Sequence, residues 1–366
     1  MKYQAVIGLG FGDEGKGLMT DYLCSQAHNP LVVRFSGGQQ AGHTVVLDGV
    51  RHVFSNFGSG TLRGASSYFS AYCTIEPAGL IHELSVLLDQ GFQPHLFIDG
   101  NCPVTTPYDI YANQQTAQHG SCGVGVGDTL RREAHFYSLT FADLFYPWVF
   151  TQKLQQIKQF YPHVPTLCVD NFLECCDLIS HSPFIDKCYG LPTGYEEVIF
   201  EGSQGLLLDQ HYGFFPHVTR ANTGSKNILA LTGNAEIEFY LISRAYQTRH
   251  GAGPMTNEHI PHNISKNPAE TNITNRYQGN FRRTLLDVSL LEYALEKDTA
   301  IRTAADKTLV MTCLDHIQNE YRFTYQQQVV YCQNERDFVT KIAALLGIKK
   351  IFFSFSPESQ FLQQVT

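Results

Sequence analysis

The chain has 366 residues, of which 43% are hydrophobic and 16% charged, and its formal net charge is −8 at pH 7. This balance is typical of a globular enzyme with a sizeable core and excludes a disordered or coiled-coil protein. A nucleic-acid-binding surface normally carries an excess of basic residues, so we expect no nucleic-acid partner. No run approaches the roughly 18 apolar residues of a spanning helix, and residues 1–10 lack the features of a signal peptide, so we expect no membrane partner.

The ten cysteines and 15 histidines show neither a CxxC spacing nor an HExxH motif. We interpret the cysteines, including the adjacent pair Cys175 and Cys176, as small buried hydrophobic residues. Without a secretion signal they indicate a reducing compartment, and we therefore expect a cytoplasmic protein.

Short apolar runs alternate with helical segments along the chain. The runs at residues 5–9 and 31–35 are each followed by a glycine-rich loop, and residues 18–24 have helical character. Further strands are predicted at residues 96–98, 197–200, 309–311 and 351–354. This pattern predicts an α/β fold, in one domain over residues 1–366, with a mainly parallel central sheet, helices on both faces and a small C-terminal portion. The polar stretch 257–278 is predicted to be a long surface loop.

The loop after the first strand, GFGDEGKG at residues 10–17, has the G-x-x-x-x-G-K spacing of a phosphate-binding loop. Its glycines allow backbone N–H groups to face phosphate oxygens, Lys16 adds a positive charge, and the next helix adds its dipole. Gly17 occupies the usual place of the Ser or Thr that holds Mg²⁺, so Asp13 is the natural metal ligand. The loop predicts a nucleoside triphosphate site, with a simple glycine-rich helix cap as the alternative.

The spacing G-x-G-x-x-G in the same loop also fits a dinucleotide-binding fingerprint. The second strand does not end in an acidic residue that could bind the ribose of NAD. It ends in Arg34, which would suit only NADP. The carboxylates of Asp13 and Glu14 beside a pyrophosphate argue against this alternative.

Six short segments follow one another along most of the chain. They are GDEGKG at 12–17, GGQQAGHT at 37–44, FEGSQG at 200–205, PHVT at 216–219, GAGP at 251–254 and RRT at 282–284. Together they are far more specific than any one alone, and the chain resembles the adenylosuccinate synthetase family.

The resemblance implies a homodimeric ligase that joins L-aspartate to IMP, using GTP and Mg²⁺, through a 6-phosphoryl-IMP intermediate. It implies that Asp13 is the base for the purine N1 proton and, with the carbonyl of Gly42, a Mg²⁺ ligand. It implies that His43 is the acid at the phosphates and that Gln204 supports the base. Nucleotide contacts are implied for Gly12, Glu14, Gly15, Lys16, Gly17, Gly42, Thr44, Asp315, Ser354 and Pro357, and substrate contacts for Gln40, Cys122, Thr219, Gly251 and Arg282. The residues suit the chemistry, because phosphorylation of a lactam oxygen needs a base, a proton donor and charge neutralisation.

The chain departs from the family pattern where the substrates are recognised. Gln40 replaces an asparagine, Cys122 a threonine, and Val124 an arginine that helps to hold the aspartate carboxylate. The arginine-rich loop that grips aspartate is shortened, so that Arg282 keeps one contact while Asn280 replaces another arginine. Each lost contact to a carboxylate costs on the order of 2 kcal/mol.

Two further departures concern the partner subunit and the base of the triphosphate. An arginine that the family takes from the partner subunit has no secure match, because Arg131 and Arg132 lie nearby but an ungapped alignment places Phe136 there. Asp315 matches the carboxylate that reads guanine, whereas Cys313 replaces a lysine.

Adenylosuccinate synthetase activity is the leading prediction. The alternative is a diverged ligase of the same chemistry that uses another purine nucleotide such as dGMP, another amino acid, or ATP. Phage relatives that use dGMP tend to carry a small residue in place of the catalytic aspartate, so the retained Asp13 favours a hypoxanthine base. A nucleotide-binding paralogue without ligase activity and an NADP oxidoreductase are the remaining alternatives.

Overall fold

The computed structural model describes residues 1–115, 121–265, 267, 270, 277 and 279–365. The α-helices are α1 Lys16–Gln26, α2 Pro77–Asp89, α3 Pro107–Gln115, α4 Val126–Ala134, α5 Pro147–Phe160, α6 Asp170–Ser180, α7 Lys226–Thr232, α8 Val288–Lys297, α9 Thr299–Thr303 and α10 Glu335–Leu345. The strands are β1 Lys2–Gly8, β2 Pro30–Arg34, β3 His43–Leu47, β4 Val50–Phe54, β5 Ser66–Phe69, β6 Leu96–Asp99, β7 Ile185–Cys188, β8 Glu197–Gly205, β9 Glu238–Arg244, β10 Tyr246–His250, β11 Phe281–Leu285, β12 Lys307–Thr312, β13 Tyr321–Tyr325, β14 Gln328–Cys332, β15 Lys350–Phe353 and β16 Gln363–Val365.

One large sheet organises the fold, in the order β16-β15-β12-β9-β1-β8-β2-β5-β6-β7. Neighbouring strands are parallel from β15 through to β7, and only β16 at the edge runs antiparallel to β15. The predicted mainly parallel α/β fold is therefore confirmed. A parallel sheet that is covered by helices on both faces buries both sides of its central strands. Its strands are therefore short apolar runs without the alternation of polar residues.

The two faces of the sheet pack against different helices. Along β1, Ala5 and Ile7 belong to one buried cluster and Val6 to another, as the two-residue period of a strand requires. The face of Val6 is covered by α1 through Met19. The opposite face is covered by α8 and α10, through residues such as Leu291, Phe338 and Ile342. Helices thus lie on both faces, as the sequence predicted.

A second buried cluster stabilises the β5-β6-β7 side of the sheet. It joins Ile98 of β6 to Leu87 of α2 and Phe172 of α6. The C-terminal portion, by contrast, shares a buried cluster with the central strands. Phe338 of α10 and Leu309 of β12 both belong to the cluster that contains Ala5 and Ile7.

The stretch predicted as a long surface loop, 257–278, is anchored at its start. Asn257 is buried, and its Nδ2 donates to Oγ1 of Thr324 at 2.7 Å. Ile264 is also buried and forms an isolated bridge with Ile317. Residues 266, 268, 269, 271–276 and 278 of this stretch lie outside the described residues.

The ten cysteines are all free, and the prediction that they are buried is right for only half of them. Five are buried, four are half-buried and Cys168 is exposed. Among the described helices, none combines the length and apolar character needed to cross a membrane.

Candidate active site

A cavity of about 820 Å³ opens at the carboxyl ends of β12, β9, β1, β8 and β2, which are consecutive in the sheet. Ligands of open α/β sheets bind at this edge, and the volume lies in the range of small-molecule sites. Fifteen of the predicted site residues line it: Gly12, Asp13, Glu14, Gly15, Lys16, Gly17, Gln40, Gly42, His43, Thr44, Cys122, Gln204, Thr219, Asp315 and Pro357. Gly251, Arg282 and Ser354 do not line it. Most of the predicted site residues therefore lie in one continuous pocket, although they come from segments far apart in the chain.

The loop between β1 and α1 has a left-handed backbone at three positions. The φ angles are 91° at Gly12, 59° at Asp13 and 91° at Gly15. Glycine tolerates this conformation without cost, whereas an aspartate there is uncommon. A side chain at Gly15 would also meet Thr312 at 3.1 Å. The glycines of the motif therefore serve a backbone shape that other residues would strain.

Three consecutive carbonyl groups of this loop, those of residues 12–14, are held from outside by side chains of the neighbouring strands. The donors are Oγ1 of Thr248 for Gly12 (3.4 Å), the guanidinium of Arg244 for Asp13 and Oγ1 of Thr312 for Glu14 (2.7 Å). The first N–H groups of α1, which lack partners within the helix, follow directly. These contacts fix the conformation of the loop, whose backbone N–H groups, with those of the first turn of α1, are suited to an anion.

The side chain of Glu14 points into the protein, not into the cavity. Its Oε1 accepts from the N–H groups of Gly10 (2.8 Å) and Gly12 (3.0 Å), and its Oε2 lies 2.9 Å from Nζ of Lys16. Both charged side chains are buried. Glu14 can therefore contact a nucleotide only through its backbone, and Lys16, predicted to bind phosphate, is paired with Glu14 in this structure.

Asp13 presents its carboxylate to the cavity. Its Oδ2 lies 3.2 Å from Nε2 of His250, at the end of β10. Burial alone would raise the pKa of Asp13, but the hydrogen bond and charge of His250, with the charges of Arg244 and Lys16, lower it. The carboxylate is thus ionised, as a base or a metal ligand must be.

His43 lies on β3 against a buried anion. Its Nδ1 is 2.8 Å from Oε1 of Glu201. The other carboxylate oxygen, Oε2, accepts from the N–H of Ser59 at 3.2 Å and lies 3.7 Å from Arg34. Burial opposes ionisation of Glu201, yet His43, Arg34 and Ser59 lower its pKa to about 2. Glu201 therefore orients the ring through Nδ1 and leaves Nε2 for a ligand.

Several buried polar atoms on the cavity wall have no hydrogen-bond partner among the described residues. They include Nε2 of His43, Oε1 of Gln40 and Oε1 of Gln204. Buried polar groups in native proteins are almost always paired, so unpaired ones grouped in a cavity indicate a ligand with donors and acceptors of its own.

The other predicted substrate residues lie in two places. Cys122 and Thr219 line the cavity together with Arg131, whose guanidinium lies 2.7 Å from Asp128. Arg282 lies elsewhere: its NH1 is 2.9 Å from Oε1 of Glu258, and its NH2 donates to a backbone carbonyl. The guanidinium of Arg282, to which the resemblance assigns a contact with the substrate carboxylate, is thus already paired within the protein.

The two other positions considered for the partner-subunit arginine, Arg132 and Phe136, do not line the cavity as Arg131 does. Arg132 is fully buried and forms an ion pair with Asp109 at 2.9 Å, so it stabilises the fold. Phe136, which the ungapped alignment selected, is 95% exposed.

Cys313, which has a φ of 58°, lines the cavity together with Asp315 and Pro357. The Asp315 carboxylate is partly exposed and lies 3.5 Å from Nε2 of His316. Ser354 is buried, and its hydroxyl donates to the carbonyl of Ser356 at 2.7 Å. Ser354 therefore shapes the segment that carries Pro357 without reaching the cavity.

Sequence reasoning missed several cavity residues that carry charge, namely Arg51, Arg220, Arg244, Arg249, His217, His250 and Glu270. Arg244 was findable in part, because it ends β9 of the parallel sheet, and ligands of such sheets lie at that edge. His250 ends β10, which pairs with β11 in a separate two-stranded sheet. The runs that form β9 and β10 were not recognised as strands, and the signal was lost with them.

Residues 5–351 match the family model of adenylosuccinate synthetase. Adenylosuccinate synthetase of Shewanella amazonensis is 31% identical over 283 residues, which are 70% of this chain and 65% of that protein. The Vibrio cholerae enzyme is 33% identical over 279 residues, 69% of this chain and 64% of that protein. The chain thus aligns with slightly less than two thirds of the length of these relatives.

Two solved structures share the fold. Fully ligated adenylosuccinate synthetase from Plasmodium falciparum superimposes with a TM-score of 0.77 at 16% identity, covering all of both chains. The succinoaminodeoxyadenylate synthetase of cyanophage S-2L, bound to dGMP and to dATP as an energy donor, gives 0.65 at 15% identity over 100% of this chain and 96% of that one. The match over residues 5–351 and the curated relatives agree, and the chain belongs to the adenylosuccinate synthetase family.

Proposed function

We propose that the chain is an adenylosuccinate synthetase, a ligase that forms a C–N bond between L-aspartate and IMP at the expense of GTP. One observation carries the proposal: Asp13, His43 and Gln204 converge on one cavity that also holds the glycine-rich loop. These are the base, the acid and the supporting amide that the chemistry requires.

Asp13 takes the N1 proton of the purine, which makes the O6 oxygen nucleophilic. Its lowered pKa ensures that the base is ionised before the purine binds. The amide of Gln204, whose Oε1 is unpaired among the described residues, accepts a hydrogen bond beside the base. O6 attacks the γ-phosphorus of GTP and releases GDP. The amine of aspartate then attacks C6, loses a proton and displaces the phosphorylated O6 as inorganic phosphate, because phosphate leaves far more easily than a lactam oxygen.

His43 and the loop stabilise the charge that develops on the transferred phosphoryl group. Burial lowers the pKa of His43, but the ionised Glu201 accepts from Nδ1–H and favours the imidazolium form, whose Nε2–H can then donate to a phosphate oxygen. Lys16 follows the loop at the start of α1, where the helix dipole also favours an anion.

Mg²⁺ suits the residues present, because it keeps several waters and takes one or two carboxylates together with phosphate oxygens. Asp13 supplies such a carboxylate, and the carbonyl of Gly42 on the same wall a second oxygen. Bound there, Mg²⁺ would neutralise charge on the triphosphate.

A second candidate keeps the chemistry and changes a substrate. The pairing of Arg282 with Glu258 favours it, since this arginine would have to leave an ion pair to hold the aspartate carboxylate. A different amino acid, a purine nucleotide such as dGMP, or ATP in place of GTP are the changes to consider. A homodimer in the cytoplasm is part of the proposal in either case.

The experiment is a product assay by mass spectrometry with Mg²⁺ and a nucleoside triphosphate. IMP and dGMP are supplied in parallel tubes, each with L-aspartate or with a mixture of the other amino acids. Adenylosuccinate from IMP and L-aspartate supports the first candidate. A product from any other tube alone supports the second.

A further inference from the structure

Asp13 is held at two separate points. His250 reaches its carboxylate, with Nε2 3.2 Å from Oδ2, and the guanidinium of Arg244 donates to its backbone carbonyl. A side chain anchored at both its backbone and its terminus has few rotamers left to it.

The two anchors of Asp13 pack on a common ring. The imidazole of His250 lies 4.8 Å from the ring of Phe281, and the guanidinium carbon of Arg244 lies 5.8 Å from the same ring. Phe281 itself is fixed opposite His250 by the antiparallel pairing of β10 with β11. His250, Arg244 and Phe281 thus form one packed unit around Asp13.

We propose that His250 is a positioning residue, which fixes the Asp13 carboxylate so that Oδ1 faces the ring N–H of the purine. This inference rests on the proposed function, in which Asp13 is the base. A base must lie within hydrogen-bond reach of its proton, and a displacement of 1 Å can cost about 100-fold in rate. Because the imidazole contacts Oδ2, the carboxylate presents Oδ1 to the purine in one orientation.

Two substitutions separate positioning from other roles. His250→Leu keeps an apolar side chain against Phe281 but removes the N–H donor. His250→Gln retains an amide N–H at about the reach of Nε2. A direct contact of the imidazole with a ligand would change the KM of that ligand, whereas positioning of the base changes kcat.

A matched control comes from a second histidine. Nε2 of His52 on β4 lies 3.6 Å from Glu83, a longer contact than that of His250 with Asp13, and its ring lies 4.5 Å from that of Phe54. Neither His52 nor Glu83 lines the cavity. His52→Leu therefore removes a buried histidine–carboxylate contact without touching the site.

The experiment combines kinetics with crystal structures of the wild type and His250→Leu. We expect His250→Leu to lower kcat at least 10-fold, with the KM values of both nucleotides within twofold of wild type, and His250→Gln to regain kcat to within about threefold. His52→Leu should keep the kcat of the folded protein. In the crystals, the Asp13 carboxylate should take a single conformer in the wild type and move or split in His250→Leu.

An unmoved Asp13 in His250→Leu, an unchanged kcat, or a glutamine variant as slow as the leucine variant would overturn the inference. Failure of the proposed function looks different, because the wild type itself would then form no product from any purine nucleotide. The crystallographic comparison decides the inference in that case also, since it needs no turnover.

Discussion

Nζ of Lys16 lies 2.9 Å from Oε2 of Glu14, and this ion pair is buried beneath the loop that the sequence identified as a phosphate site. The same carboxylate accepts two backbone N–H groups of the loop. Glu14 therefore stabilises the conformation of the loop and holds Lys16 beside it. A bound phosphate would compete with Glu14 for the ammonium group of Lys16.

Removing Glu14 should destabilise the protein strongly. Glu14→Ala leaves Lys16 and two N–H groups without their partner in a buried place, which costs about 3–5 kcal/mol of unfolding free energy. Urea unfolding measures the loss. The control is Glu320→Ala, which breaks a more exposed pair with Arg322 and should cost less than about 1 kcal/mol. Equal losses in the two variants would contradict a structural role for Glu14.

Asp13→Asn should abolish product formation while the protein stays folded. The amide cannot accept the N1 proton, and we expect at least a 1,000-fold loss of kcat, measured by product formation. Asp48→Asn is the control, because Asp48 also has a positive φ, of 49°, but lies in the turn between β3 and β4. Appreciable turnover by Asp13→Asn would mean that another group is the base.

The contribution of Glu201 to stability should depend on pH. Its pKa is lowered from about 4.5 to about 2, so its stabilisation is complete above pH 4.5 and is lost as the pH falls toward 2. Glu201→Gln does not titrate. The difference in unfolding free energy between wild type and Glu201→Gln should therefore shrink between pH 6 and pH 3, by on the order of 1 to 2 kcal/mol of the roughly 3 available over the whole window. A constant difference across this range, measured by urea unfolding, would rule out an ionised, stabilised Glu201.

Asp315→Asn should relax the preference for the base of the triphosphate. A carboxylate accepts the N–H groups of guanine, whereas an amide also donates, and we expect the ratio of kcat/KM for GTP over ATP to fall about 10-fold or more. Asp306→Asn serves as the control, because Asp306 immediately precedes β12 at the end opposite the cavity. An unchanged ratio in Asp315→Asn would place recognition of the base elsewhere.

The sequence predicted the fold well because its signals are local. Buried strands such as β2 and β12 contain short apolar runs, Leu-Val-Val in β2 and Leu-Val-Met in β12, and a glycine-rich loop follows β1 and β2. The spacing in residues 10–17 likewise predicted the loop, whose left-handed φ angles only glycine adopts without strain. That residues 1–366 form one domain stays a prediction.

The hydrogen-bond and ion-pair partners of the predicted residues could not be predicted from local sequence signals. Arg244 reaches Asp13 across 231 positions, and no local pattern records a contact over that distance. The inward turn of Glu14 and the pairing of Arg282 with Glu258 are also three-dimensional facts, since the motif alone places both residues at a ligand. The sequence thus predicted several of the segments that form the cavity. The structure adds the ends of β9 and β10 and shows which side chains face into the cavity.

The most direct test of the central claim is a mass-spectrometric product assay on purified protein with Mg²⁺, GTP, IMP and L-aspartate. We predict a species with the mass of adenylosuccinate, formed together with one GDP and one phosphate per molecule. Phosphate release without that species, or no turnover of IMP while dGMP is converted, would contradict adenylosuccinate synthetase activity.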